Sequence, residues 1–349
     1  MKIALITDTH YGARKGSKIF HDYFQKFYDD IFFPTIKKRK IKHVIHLGDS
    51  FDNRKSIDFW ALDWAKENVY DKFKRLKTKV YTIVGNHDAY YKNTNEVNAI
   101  DSLLTSYDNI VRFSRPSYID IDGFEALLLP WVCQDNYEET VDILKNPRSK
   151  VAFGHLELNG FVVTQQVIMD HGFDMNYFKK FEKVFSGHFH TRSSVGDIHY
   201  LGNPYEMFWN DFESPRGFHI FDTETLEHTP INNPYRLFYK IFYEDTPYQT
   251  FDSREYEGKI VKLIVRKKTS TKKFEKFVDK LYASNVSEVK IVENFDFGGW
   301  YDDKGAEVYE SEDTMSILNK FIDESEISLD KSVLQKMMQE TYQEACELV

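Results

Sequence analysis

The first part of this chain alternates between two rhythms of apolar residues. Runs such as Ile3-Ala4-Leu5-Ile6, Val44-Ile45-His46-Leu47 and Val80-Tyr81-Thr82-Ile83-Val84 read as strands. Between them, Ile19, Phe20, Tyr23, Phe24, Phe27, Tyr28, Ile31 and Phe32 recur at helical spacing, and a second helix fits residues 56–76 with Trp60, Leu62, Trp64, Val69 and Phe73. The predicted order is strand 2–6, helix 18–40 kinked or ended by Pro34, strand 43–47, helix 56–76 and strand 79–84. Strands joined through helices run parallel, so this stretch predicts a helix-covered sheet.

After residue 110 the pattern changes. Tyr118 to Pro130 reads as a hairpin turning at Asp122-Gly123, and strands return at 150–154, 182–186, 198–201 and 217–222. The expected fold class is α/β, with two packed mixed β-sheets flanked by helices. Residues 258–266, 271–283 and 287–293 read strand, helix, strand, with Ser270 or Thr271 at the helix start, and predict a small α+β module. The expected organisation is a main domain over 1–230, the module over 231–300, an acidic linker over 301–312 and a helical segment over 313–349. That last segment carries two apolar stripes, one with Met315, Leu318, Phe321 and Ile322 and one with Leu334, Met337, Met338, Tyr342, Ala345 and Cys346. So small a hairpin cannot bury its own stripes, and it is expected to pack back on the domain or dock on a partner helix.

Length and composition narrow the class. A chain of 349 residues with 42% apolar and 16% aromatic content can build one large domain and a smaller addition. A formal net charge of −9 argues against coating nucleic acid through global positive charge. Basic residues nevertheless gather near the first strands, at Arg14, Lys15, Lys18, Lys37 to Lys40, Arg54, Lys55 and Lys72 to Lys79, although any one such run can be an ordinary solvated helix face. Cys133 and Cys346 are far apart and offer neither a disulfide framework nor a zinc cluster. No apolar stretch approaches a membrane span and the chain starts directly on a strand, so a soluble, cytoplasmic protein is expected.

The chemistry sits where the apolar runs stop. Five of them end in Asp8-Thr9-His10, Gly48-Asp49, Gly85-Asn86-His87-Asp88, Gly154-His155 and Gly187-His188-Phe189-His190. In open α/β sheets the crevice beyond the carboxyl ends of the strands is where ligands bind. Asp8 and His10 lie two residues apart, as do His188 and His190, and in an extended chain each pair points one way. A single histidine is more often a hydrogen-bonded core or surface residue than a ligand; the number of donors changes that reading here. Asp8, His10, Asp49, Asn86, His155, His188 and His190 exceed what one tetrahedral zinc takes and suit two ions ~3.5 to 4 Å apart under a shared carboxylate. Imidazole mixed with carboxylate, without thiolate, favours manganese, with iron or zinc as alternatives, over magnesium, which prefers oxygen throughout. Two such ions suit phosphoester hydrolysis, because they stabilise charge on the phosphoryl oxygens and lower the pKa of an attacking water. His87, next to Asn86 but expected to aim away from the ions, fits the role of proton donor to the leaving group.

In order and approximate spacing these five motifs resemble the calcineurin-like metallophosphoesterases, each motif being weak alone and all five together specific. Within that family the chain is similar to the SbcD-type nucleases of DNA repair, the branch that includes the recombination nuclease subunit of T4-like phages. The motifs cover residues 8–190, and the later segments agree by layout. The resemblance implies that Asp8, His10, Asp49 and His190 bind one manganese, that Asp49, Asn86, His155 and His188 bind the other, and that Asp49 bridges. It implies exonuclease action on DNA ends and endonuclease action on single strands, in DNA recombination, repair and replication. It further implies a DNA-binding capping role for the small module, a homodimer, and a complex with an SMC-like coiled-coil ATPase of the SbcC type through residues 313–347. A phage-encoded member would act in the host cytoplasm. Arg14, Lys15, Arg54 and Lys55 follow the metal motifs closely and are the candidate phosphate contacts.

One departure stands out. Cellular nucleases of this branch carry histidine three positions after the bridging aspartate, where this chain has Asp52. The protein phosphatases of the superfamily place aspartate there, paired with the catalytic histidine. Asp52 is therefore expected to hydrogen-bond His87, fixing its tautomer and raising its pKa. A phosphatase or phosphodiesterase of the same fold would use the same metals, but Asn53-Arg54-Lys55 follows Asp52 in place of the phosphatase Arg-Gly. A catalytically silent binding scaffold would be expected to have lost ligands, and none of the seven is missing.

Overall fold

Ile3 and Leu5 bury one face of the first strand and Ala4 and Ile6 the other, which is why this strand reads as a continuous apolar run. The computed structural model describes residues 1–164, 167–268, 270–293, 322, 331–335 and 337–338. In it the strand Lys2–Ile6 lies inside a six-stranded mixed sheet, between Gly217–Asp222 and His43–His46, with Lys79–Ile83 and Ile110–Phe113 beyond the latter and His228–Asn232 at the opposite edge. The first, second and third strands run parallel, as the intervening helices require.

A second six-stranded sheet has the order Ser193–Val195, Ile198–Tyr200, Lys183–Gly187, Val151–His155, Phe124–Leu129 and Ser117–Ile121. Its hairpin turns at Asp122 (φ 49°) and Gly123 (φ 89°), two left-handed residues in succession. Between the two sheets, Ile3, Leu5, Ile45, Leu47 and Ile83 pack with Leu128, Phe153, Phe185 and Phe221. The two mixed sheets flanked by helices are the architecture expected from the sequence.

Pro34 does not end its helix. Helical residues run from Lys18–Phe27 through a widened turn, Tyr28–Phe32, into Phe33–Lys38. Within that turn the N–H of Phe33 reaches back to the Tyr28 carbonyl, a five-residue step directly before Pro34. The second helix begins at Phe59, where the Asp58 side chain accepts the Ala61 N–H at 3.0 Å.

The small module forms a parallel three-stranded sheet of Phe238–Phe242, Ile260–Val265 and Glu288–Glu293, with the helix Thr271–Tyr282 packing Phe274, Phe277 and Leu281 into its core. Glu206 ties this module to the sandwich by accepting the N–H groups of Leu237 (2.6 Å) and Phe238 (2.9 Å). Met1–Glu293 forms one compact unit and Asn294–Val349 a second. The acidic linker and most of the C-terminal helical segment lie outside the described residues; 331–335 are helical. Among the described residues, no helix is long and apolar enough to cross a membrane.

Candidate metal centre

All seven donor side chains meet beyond the C-terminal ends of the strands. The backbone that delivers them is unusual. Asp8 (φ 51°), His10 (φ 43°), Asp49 (φ 53°) and His188 (φ 85°) occupy the left-handed region, which non-glycine residues seldom adopt. Such conformations cost about 1 to 3 kcal/mol each and persist where the surroundings enforce them. Asp8 and His10 therefore share a cluster because the chain turns sharply, which replaces the extended geometry expected from their spacing. Gly48 and Gly85 permit the close approach of neighbouring strand ends: a Cβ on Gly48 would stand 2.6 Å from His155 Nδ1, and one on Gly85 would collide with the Asp49 carboxylate.

Two groups of donors are linked through His10 and Asp49, which also share a group with His87. Asp8, His10 and His190 bring ligand atoms within 4.8 Å of one another, and so do Asp49, His155 and His188. His10 Nε2 lies 3.2 Å from His190 Nε2 and 3.7 Å from Asp49 Oδ2. On the other side, His155 Nε2 is 3.3 Å from the same Asp49 oxygen, while Asn86 Oδ1 is 2.8 Å from His155 Nε2 and 3.0 Å from His188 Nδ1. His188 and His190, only two residues apart, thus serve different groups.

The partners behind the rings fix their tautomers. His155 Nδ1 lies 2.7 Å from the Leu47 carbonyl, which can only accept, so Nδ1 keeps its proton and Nε2 is the nitrogen whose lone pair the neutral ring offers to the cluster. Asp8 accepts Thr7 Oγ1–H at 2.7 Å and the His188 N–H at 3.1 Å. Burial nevertheless pushes the Asp8 carboxyl up, whereas His155, His87 and His10 hold Asp49 well below the usual carboxylate range against the same desolvation. In turn, Asp49 draws His155 up to about 9 despite burial, and Asp52 with Asp49 does the same for His10.

His87 does not stand apart from the ligands: it offers a nitrogen within 4.8 Å of His10 and Asp49, and its ring meets that of His10 edge to face at 4.8 Å. Its N–H donates to Asp49 Oδ1 at 2.8 Å. The expected pairing with the Asp52 carboxylate is corrected by the structure. His87 Nδ1 donates to the main-chain carbonyl of Asp52 at 2.6 Å, and the Asp52 carboxylate instead lies 3.3 Å from His10 Nδ1. Nor is the His87 pKa raised; burial pushes it below its ordinary value, outweighing Asp49.

Other residues were given no role by the sequence motifs. Asp88 is fully buried and accepts N–H groups from Ser50 (3.0 Å), Phe51 (3.1 Å) and Gly85 (3.0 Å), clamping two motif loops together. Its position directly after His87 was the available signal. Arg216 donates to the His190 carbonyl and to Asn203 Oδ1, and its Nη2 lies 3.0 Å from buried Asp211; no local pattern announces that contact. Of the basic candidates, Lys15 and Lys55 are exposed, Arg54 is half-buried, and Arg14 donates to the Met207 carbonyl at 3.3 Å and lies over the Phe208 ring.

A family model described as calcineurin-like phosphoesterase matches residues 1–192, which contain every donor above. The chain belongs to the calcineurin-like phosphoesterase family. This phosphoesterase is 38% identical over 189 residues to exonuclease subunit 1 of Enterobacteria phage T4, a match covering 54% of this chain and 55% of the relative. The chain spans about half the length of the curated relative it matches. Among solved structures, an archaeal phosphodiesterase is similar at 14% identity and TM-score 0.35, covering 67% of this chain and 100% of that one. A purple acid phosphatase from yellow lupin seeds is similar at 12% identity and TM-score 0.37, covering 66% and 52%. The family uses a dinuclear metal site, and the overlapping His and Asp groups of this phosphoesterase fit one by their chemistry: carboxylate, amide and imidazole donors converge with their protons turned outward.

Proposed function

We propose that this chain is a manganese-dependent deoxyribonuclease that hydrolyses phosphodiesters at DNA ends and in single strands. The observation that supports it most is the pair of donor groups joined at Asp49, in a chain similar to an exonuclease subunit. Asp8, His10, Asp49 and His190 would hold one ion, and Asp49, Asn86, His155 and His188 the other. Bound there, two divalent cations supply electrostatic stabilisation of the phosphoryl group and an activated water.

The protein's own residues supply orientation and proton transfer. The His87 backbone is tied to Asp49 through its main-chain N–H, and its ring is oriented by Nδ1–H on the Asp52 carbonyl. That leaves Nε2 facing the reacting group. The ring delivers a proton to the leaving 3′ or 5′ oxygen only from its doubly protonated form, which the lowered pKa makes a strong acid but a minor species at neutral pH. Lys15, Arg54 and Lys55, on loops after the metal motifs, would contact backbone phosphates, with Arg14 bracing the site beside them. The small module would cap bound DNA. Residues 313–347 would dock on the coiled coil of an SMC-like ATPase of the SbcC type, two copies of the nuclease would pair, and the complex would act in recombination, repair and replication in the host cytoplasm.

The test is manganese-dependent release of nucleotides from linear DNA, measured beside hydrolysis of bis(p-nitrophenyl) phosphate and of the corresponding monoester. Nuclease action predicts DNA and diester turnover with little on the monoester. Efficient monoester hydrolysis with intact DNA would identify a phosphatase.

A further inference from the structure

His188 Nε2 points out of the donor cluster and lies 3.3 Å from Glu157 Oε2, while its Nδ1 lies 3.0 Å from Asn86 Oδ1. An ionised carboxylate only accepts, so the proton resides on Nε2 and the lone pair on Nδ1. Glu157 is itself held firmly. Its carbonyl accepts the Phe173 N–H at 2.8 Å, and Gly172 (φ 100°) packs so closely that a Cβ there would stand 2.5 Å from the same oxygen. Its other carboxylate oxygen is 3.7 Å from His171 Nε2.

We infer that Glu157 is a positioning residue of the second cation subsite, holding His188 in the Nε2–H tautomer so that Nδ1 is presented to a divalent ion beside Asn86 and His155. This rests on the dinuclear reading above. The charge balance gives a physical reason for an acid here. The first donor group holds Asp8 and shares Asp49, whereas the second shares Asp49 and otherwise offers neutral Asn86, His155 and His188. A carboxylate behind the imidazole raises its basicity and restores part of the missing negative charge without adding a ligand. Glu157 follows His155 by two residues, the same spacing as the two ligand pairs.

The experiment titrates Mn2+ into the metal-free full chain by calorimetry, comparing wild type with E157A and E157Q, and reads the His188 tautomer by 15N NMR. The wild type should bind two ions with His188 protonated at Nε2. E157A should weaken one site by about 10- to 100-fold and leave the other within about threefold, with the His188 tautomers mixed. E157Q, which keeps an acceptor but loses the charge, should fall between. Wild-type affinity at both sites of E157A, or equal weakening of both, overturns the inference. Should E157A fail to fold, E157Q decides: selective weakening supports the role and unchanged affinities overturn it. A wild type that binds one ion removes the dinuclear reading and this role with it; one that binds two ions but leaves DNA intact removes only the nuclease reading.

Discussion

Asp52 meets His87 through its backbone and His10 through its side chain, with His87 Nδ1 2.6 Å from the Asp52 carbonyl and His10 Nδ1 3.3 Å from the carboxylate. A substitution at Asp52 therefore leaves the His87 bond in place and acts on His10. Asp52→Asn is expected to weaken manganese binding at the first subsite by about tenfold or more, since outer partners of ligand histidines tune metal affinity to that extent. Rates should recover as manganese is raised. The acid limb of the rate profile should stay where it is; a displaced limb would restore the side-chain pairing that the sequence suggested.

Among the described residues, Asp49 is the carboxylate that faces both groups, 3.7 Å from His10 Nε2 and 3.3 Å from His155 Nε2. Asp49→Asn keeps an oxygen for the His87 N–H but removes the charge that either ion needs. The expected outcome is a fall in turnover of about 10³-fold or more, with calorimetry showing weaker binding at both sites. Normal binding of one ion would show that the groups are independent.

The metal-free protein should lose stability on the alkaline side. His10 and His155 are both raised to about 9 in the fold, against an unfolded value of about 6.5. A raised histidine contributes stability that is complete below the unfolded value and is lost as pH climbs through the folded value. Thermal midpoints of the metal-free chain should therefore fall between about pH 7 and 9. Manganese competes with these protons for the ring nitrogens, so its apparent affinity should rise over the same window and its binding should release protons. Flat midpoints would show that Asp49 does not hold the two imidazoles charged.

Arg216 is buried among the His190 carbonyl, Asn203 and Asp211. Asp211 also accepts the N–H groups of Met207 (2.7 Å) and Phe208 (3.0 Å), so the pair anchors the loop that follows the last ligand. Arg216→Ala leaves a buried carboxylate without its cation and is expected to cost about 3 to 5 kcal/mol, read as a lower urea midpoint. Lysine, a single point donor, should rescue only a fraction of that loss.

What the sequence made legible was whatever short-range pattern encodes. The continuous runs at Ile3 to Ile6 and Val80 to Val84 announce strands, Asp122-Gly123 announces the hairpin, and each donor stands at the end of such a run. The left-handed turns at Asp8, His10, Asp49 and His188 escaped because aspartate and histidine, although enriched at positive φ, adopt it in only a small fraction of positions. Pairings across the fold escaped for another reason. Arg216 with Asp211 and Glu157 with His188 depend on which loops tertiary packing brings together. Asp52 was misassigned because a carbonyl, which every residue has, took the place of the carboxylate.

The basic loops divide by what they already touch. Arg14 is engaged with the Met207 carbonyl and lies 4.9 Å from the centre of the Phe208 ring, which in turn stacks on His190. Lys15 and Lys55 are exposed. Each phosphate contact contributes about 0.9 to the slope of log affinity against log salt on duplex DNA. Replacing both lysines by alanine should therefore reduce the slope by about 2 while leaving turnover at saturating DNA near wild type. Arg14→Ala should behave differently, lowering turnover through the Phe208 and His190 contact with a smaller change in slope. An unchanged slope in the double-lysine variant would place the phosphate path elsewhere on the surface.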